Sequence, residues 1–304
     1  MNLWRTLVII SQKNFELKMI KFLIVFAVCQ LSLGSIIKRS TESFTLKNAT
    51  QFESPWLALI NIKVRNLRCG GSLVKDKFII TAAHCFDGIN INSPTLKKDI
   101  MVVLGEWKTD SDPDCVAADD SCERVAEIPP KKIVIHEQYP RDTRRNKHKH
   151  DIAIIQLAWA PRKSELIENI DLTDGECDDN YEDEELFVTG FGHTPTSGKE
   201  YAKIKKSIKM SIQTEKYCGE NLKDSFVRGI HMCGLGTEGE TTCPGDSGSG
   251  VTSYKNDIHM LEGLVAYGVA TCKAGNKPSG FVKVACFNDW IDKNIEKLSK
   301  KKRT

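Results

Sequence analysis

The chain has 304 residues, 40% of them apolar and 27% charged, an ordinary globular composition that can bury a full core in one large domain or two small ones. Its 43 basic and 40 acidic residues leave a net charge of +3, too small to indicate a nucleic-acid or membrane-surface protein. Partners therefore have to be read from sites.

Met19 opens a pattern of a lysine, the apolar run FLIVFAV from Phe22 to Val28, and small residues at Gly34 and Ser35. That is the layout of a secretory signal peptide, and the run is too short to span a bilayer. A buried N-terminal helix is the alternative reading. The pattern makes residues 1–18 an upstream extension, 19–35 the signal and 36–42 a short pro-segment or linker, and it predicts an extracellular protein. Removing the signal takes Cys29 from the eleven cysteines. An even number remains, which in a secreted chain argues for disulfides. No Cys-x-x-Cys pair supports zinc. The sequon Asn48-Ala49-Thr50 is glycosylatable in the same compartment.

From Trp56 onward come strand-length apolar runs: WLALINIKV, KFIITAA, IMVVLGEW, KKIVIH, IAIIQL, LFVTGFG, MLEGLVAYG and GFVKV. Turn-rich and acidic stretches such as Thr109 to Asp114 and Asp178 to Glu185 separate them and read as loops. No long helical period occurs until DWIDKNIEKL, Asp289 to Leu298, which predicts a closing amphipathic helix. The rhythm is all-β. With no internal repeat or low-complexity linker, it predicts one domain over 43–297 and a solvated basic tail over 298–304.

Hydrolysis of an amide by a serine needs a base for the hydroxyl proton, a buried carboxylate to hold that base, and donors for the developing oxyanion. Thr81-Ala82-Ala83-His84-Cys85 places a histidine at the end of an apolar strand, where a satisfied core histidine is the bland reading. Asp151-Ile152-Ala153-Ile154-Ile155-Gln156-Leu157 places a carboxylate at the mouth of a buried strand, where a lone aspartate is usually a turn residue. Gly245-Asp246-Ser247-Gly248, inside CPGDSGSG, says little alone.

Together, in the order His, Asp, Ser and spaced by 67 and 96 residues, these stretches resemble the chymotrypsin-type serine protease family over Ser43 to Ile295. The resemblance implies two six-stranded antiparallel barrels, with His84 as general base, Asp151 as its orienter and Ser247 as nucleophile. It makes the backbone N–H groups of Gly245 and Ser247 the oxyanion donors, with glycine at 245 because a side chain would crowd the approaching carbonyl. It pairs Cys69 with Cys85, Cys218 with Cys233, and Cys243 with Cys272. Cys115 and Cys122 resemble the small extra bridge of arthropod clip-domain proteases, and Cys177 and Cys286 complete the set. The clip domain itself is not expected between the signal and Trp56.

The same likeness puts Thr241 at the base of the primary pocket, with Gly268 and Ser279 on its walls. A neutral hydroxyl cannot offset the desolvation of a guanidinium or ammonium, so cleavage after Arg or Lys is not expected. The basic run Arg141 to His150 reads as a solvated loop, or as a preference for acidic residues before the cut. Three departures stand out. Ala266 takes the place of a serine that usually bonds the triad carboxylate. GDSGSG replaces GDSGGP. SFTL at Ser43 lacks an activation arginine before it, and Lys38-Arg39 lies three residues too early. Asp246, which a freed amino group usually pairs, is then a buried carboxylate in search of a cation.

The expected activity is a secreted serine endopeptidase acting on protein or peptide substrates, as a monomer subject to serpin-type inhibitors. The alternative is a protease-like binding or regulatory protein of an extracellular cascade with little turnover. No cofactor is expected beyond a calcium ion between Glu106, Glu123 and Glu127, which spacing alone leaves open.

Overall fold

The computed structural model describes residues 47–116, 121–140, 148–194, 200–237, 240–268, 272 and 277–300, all within the compact unit Thr45–Thr304. The signal sequence, the extension before it, the segment 36–42 with the start at Ser43, most of the basic run 141–150 and the last four residues lie outside the described residues.

Strand β1 (Lys47–Asn48) pairs with the second half of the chain. The first half forms β2 (Leu57–Ile62), β3 (Leu67–Val74), β4 (Phe78–Thr81), β5 (Ile100–Leu104), the hairpin β6 (Asp114–Val116) and β7 (Ser121–Glu123), then β8 (Ala126–Ile128), β9 (Pro130–Ile135) and β10 (Ala153–Leu157). Apart from that hairpin they pair in the order β8-β5-β2-β3-β4-β10-β9, every ladder antiparallel. The turn from β3 to β4 puts Lys75 and Asp76 at φ 44° and 67°, the succession of left-handed residues that a tight hairpin demands. Every residue of β10 is buried. Burying one such Ile or Leu side chain is worth about 1.5–3 kcal/mol, so the strand's place in the sheet is strongly fixed.

The second half contributes β11 (Asp171–Leu172), β12 (Glu185–Gly190), β13 (Lys206–Ile212), β14 (His231–Gly236), β15 (Gly250–Lys255), β16 (Ile258–Tyr267) and β17 (Ser279–Lys283). The path β13-β12-β15-β16-β17-β14 closes on itself through β13 and β14. This is a six-stranded barrel. The expected all-β architecture is therefore found, with one closed barrel and one open curved sheet among the described residues.

The closing helix runs Asn288–Ser299 and buries Ile291 and Ile295, four apart on one face. Gln156 Nε2 donates to Leu298 O at 3.1 Å, tying the helix end to β10. A second helix, Glu215–Leu222, was not anticipated from the sequence. It has no extended apolar period; it stands on a Thr214 cap, whose Oγ1 accepts from Tyr217 N at 3.0 Å, and on Cys218 bonded to Cys233. The other disulfides join Cys69 to Cys85, Cys177 to Cys286 and Cys243 to Cys272, as the resemblance implied. Cys115 stands opposite Cys122 in the β6–β7 register, and Cys122 is disulfide-bonded; the Cys115 side chain lies outside the described residues. Each bridge contributes about 2–4 kcal/mol in the chain-entropy picture.

Candidate active site

Two residues 67 positions apart meet because their strands are neighbours. In the antiparallel β4–β10 ladder Thr81 faces Ala153, so the chain leaving β4 and the chain entering β10 emerge at one edge. His84 lies in a 3-10 turn, Ala83–Phe86, just after β4, and Cys85 anchors that turn to β3. Asp151 lies two residues before β10, after His150 at φ 85°, and is fully buried.

Asp151 Oδ1 accepts the backbone N–H of His84 at 2.8 Å, and Oδ2 accepts from His84 Nδ1 at 2.7 Å. A carboxylate only accepts, so Nδ1 carries the imidazole proton and Nε2 is left with its lone pair. His148 Nδ1 reaches the same Oδ2 at 3.2 Å. Burial pushes the Asp151 carboxyl up, but the charge of His84 and the hydrogen bonds from His148 and His84 outweigh it, and the group lies well below the usual carboxylate range.

Within CPGDSGSG only Pro244 and Ser247 are more than slightly exposed. The turn is stitched by Asp246 N–H to Cys243 O and Ser249 N–H to Asp246 O, both at 2.9 Å. It lies against the His84 side of the molecule: Gly70 N–H donates to Ser247 O at 2.8 Å, and Cys85 Sγ is 3.7 Å from the same oxygen. The N–H groups of Gly245 and Ser247 donate to no other group among the described residues. Free paired donors beside a serine are what an oxyanion requires. Glycine at 245 has a further cause: φ is +101°, and a Cβ there would lie 2.6 Å from the Tyr201 ring.

Gly70 is where β3 touches this turn. A Cβ at Gly70 would stand 2.0 Å from Ser249 Oγ and 2.9 Å from Ser249 Cα. Gly70→Ala is therefore expected to push the serine turn off β3. Acylation by a fluorophosphonate should slow at least about tenfold while unfolding stability falls by about 1–3 kcal/mol. Equal labelling rates for the variant and the parent chain would contradict this.

Asp246 is buried; its Oδ1 accepts from Gly192 N–H at 2.7 Å and its Oδ2 from Cys243 N–H at 2.8 Å. Burial pushes it up to about 6 against the pull of those two amides. No cationic side chain among the described residues forms an ion pair with it.

Thr241, Gly268 and Ser279, the residues expected at the primary pocket, come together. Thr241 Oγ1 and Ser279 Oγ are 3.2 Å apart, and a Cβ at Gly268 would be 3.6 Å from Ser279 Oγ. Thr242, overlooked in the sequence, donates to Ser279 Oγ at 2.8 Å. All three hydroxyl side chains are buried.

The carboxylates considered for calcium are not gathered. Glu123 accepts from Ser164 at 2.7 Å, Glu127 is exposed on β8, and Glu106 is pushed up to about 7 by burial and then by Asp114 and Asp112, with its Oε1 buried and unpartnered. Asp114 spends its oxygens on Trp107 N, Lys108 N and Ser111 Oγ. Among the described residues the metal-ligating side chains that do cluster are His84, His148 and Asp151, and hydrogen bonding accounts for that grouping. Asn48 of the sequon is exposed, its Oδ1 accepting from Lys206 Nζ.

The profile of the family described as Trypsin matches residues 45–291. Among curated proteins, the chain is 31% identical over 253 residues to "CLIP domain-containing serine protease HP8" of Bombyx mori, covering 80% of this chain and 67% of that one. It is 32% identical over 252 residues to "Phenoloxidase-activating factor 1" of Holotrichia diomphalia, with the same coverage of 80% and 67%. With "Spaetzle-processing enzyme" of Drosophila melanogaster it shares 29% over 270 residues, 82% of this chain and 65% of that one. The chain thus spans about two thirds of each relative's length.

Proposed function

The chain belongs to the trypsin family, and on that premise we propose that it is a secreted serine endopeptidase working through an acyl-enzyme. One observation carries the reading: a fully buried Asp151 holds the proton of His84 on Nδ1 at 2.7 Å, leaving Nε2 to act as a base. In this reading His84 Nε2 takes the Ser247 hydroxyl proton as Oγ bonds the scissile carbonyl carbon. The carbonyl oxygen becomes the oxyanion and is received by the N–H groups of Gly245 and Ser247. His84 then returns the proton to the leaving amine, the C–N bond breaks, and water repeats the sequence on the ester. Asp151 stays ionised throughout and stabilises the imidazolium.

The hydroxyl-ended pocket of Thr241, Thr242 and Ser279 favours an uncharged side chain before the cut, mid-sized apolar or aromatic. Substrates are proteins or peptides: two of the relatives are named for activating or processing another protein. Serpin-type inhibitors would enter the same cleft, and the enzyme works as a monomer. Export is supported by the disulfides among the described residues, which belong to an oxidising compartment; Asn48 is the glycan acceptor there. A second reading, a binding or regulatory protein with little turnover, is favoured by one observation, the lack of a cation on Asp246 among the described residues.

The test is to label the secreted chain and its Ser247→Ala variant with a fluorophosphonate, sequence the N-terminus of whatever labels, and profile it on a peptide library. Labelling of the parent alone is expected. No labelling in any processed form overturns the enzyme in favour of the second reading, and a library profile dominated by Arg or Lys overturns the pocket assignment.

A further inference from the structure

We propose that His148 is a positioning residue of the catalytic unit, holding Asp151 by a hydrogen bond from its ring Nδ1. The inference rests on the proposed function and adds a fourth side chain to it.

A buried carboxylate needs donors on both oxygens. On Asp151, Oδ1 has the backbone N–H of His84, while Oδ2 has His84 Nδ1 and His148 Nδ1 at 2.7 and 3.2 Å. Ala266 on β16, buried where the resemblance expected a serine bonding this carboxylate, has no side-chain donor. Without His148, Oδ2 would keep, among the described residues, only the imidazole that it must orient.

His148 is half-buried and held on several sides. Its carbonyl accepts from Asp151 N–H at 3.2 Å, which folds the turn back so that its ring faces the carboxylate three residues on. The ring packs on Tyr267 at 4.6 Å between centroids and meets the His84 ring edge-on at 5.9 Å. The same carbonyl accepts from His231 Nε2 at 3.0 Å. With its proton on Nε2, His231 uses Nδ1 to accept Val227 N–H at 3.1 Å and Tyr267 O–H at 3.0 Å. Tyr267 on β16 and His231 on β14 thus grip ring and carbonyl together. No proton passes through His148. Its Nδ1–H fixes the carboxylate plane, and through it the tautomer and tilt of His84.

Three variants of the full secreted chain test this: His148→Ala, His148→Asn, whose amide N–H can stand in for Nδ1, and His148→Ala combined with Ala266→Ser. Loss of one charge-assisted hydrogen bond predicts a kcat about ten- to a hundredfold lower in His148→Ala with KM within about twofold. The asparagine, and the serine introduced from a different strand, should each restore most of it, which a merely structural histidine would not allow. A kcat within about twofold of the parent in His148→Ala overturns the proposal, as does a loss that neither rescue repairs. The far-downfield proton resonance of the His84–Asp151 hydrogen bond, read in the Ser247→Ala background, needs no turnover. It should shift or broaden in His148→Ala and return with Ala266→Ser; an unchanged resonance overturns the proposal. Failure of the parent chain to label with fluorophosphonate would instead count against the proposed function.

Discussion

Asp151→Asn is expected to lower kcat by about 10⁴ while leaving KM and the fold nearly unchanged, the loss seen in the Ser-His-Asp template when the base is held in the wrong tautomer. The donor pattern around Asp151 dictates the result. One oxygen receives a backbone N–H, which cannot reverse its role, so the amide oxygen of an asparagine has to sit there. The amide N–H₂ then occupies the place of Oδ2 and faces Nδ1 of both His84 and His148. Donor against donor is unfavourable, so His84 moves its proton to Nε2 and presents an N–H, not a lone pair, to its substrate side. Steady-state kinetics on a peptide substrate, with circular dichroism to confirm folding, measure this. A kcat within tenfold of the parent would mean that Asp151 does not set the tautomer.

The same geometry explains how much of the site the sequence made legible. His84 and Asp151 could be read because each ends or begins a strongly apolar run, and antiparallel pairing of those two runs puts their mouths together. The glycine at 245 could be read too, but for an incomplete reason, since its positive φ and the Tyr201 ring depend on chain folding far from it. His148 was lost in the charged run RDTRRNKHKH, whose composition says solvated loop. Only its position three residues before a buried aspartate, across a left-handed His150, turns it inward. Thr242 was hidden because a threonine beside Thr241 points to nothing until Ser279 arrives from β17. The helix Glu215–Leu222 escaped for a related reason: a cap and a disulfide hold it, not a period of apolar residues.

Asp246 carries the other large effect. Its folded pKa of about 6 lies above the usual 3.8, so the native chain binds this proton more tightly than the unfolded chain does. The penalty for its charge is absent below about pH 4 and complete above about pH 6, and two pH units correspond to about 3 kcal/mol. His231 runs the other way: burial lowers it to about 4, so its stabilisation is present above the usual 6.5 and lost as pH falls toward 4. The two act in opposite directions over overlapping pH ranges, so a single variant is needed to expose either. Asp246→Ala leaves the N–H groups of Gly192 and Cys243 unpaired, at a pH-independent cost of about 1–3 kcal/mol each. In the uncut chain, the parent's advantage over this variant should therefore be largest near pH 4 and narrow by about 3 kcal/mol by pH 7, read from denaturant midpoints. An advantage that stays constant with pH would show that Asp246 is not a strained carboxylate. In a processed chain whose new amino group reaches Asp246, the pair removes the penalty and the advantage should hold at pH 7. There, too, Asp246→Ala should cut the acylation rate by about 10²–10³, because the turn carrying the Gly245 and Ser247 donors loses its brace. If no processed form shows that pairing, the Gly245 and Ser247 donors lack their brace, and the result favours the second reading, a protein that binds partners with little turnover.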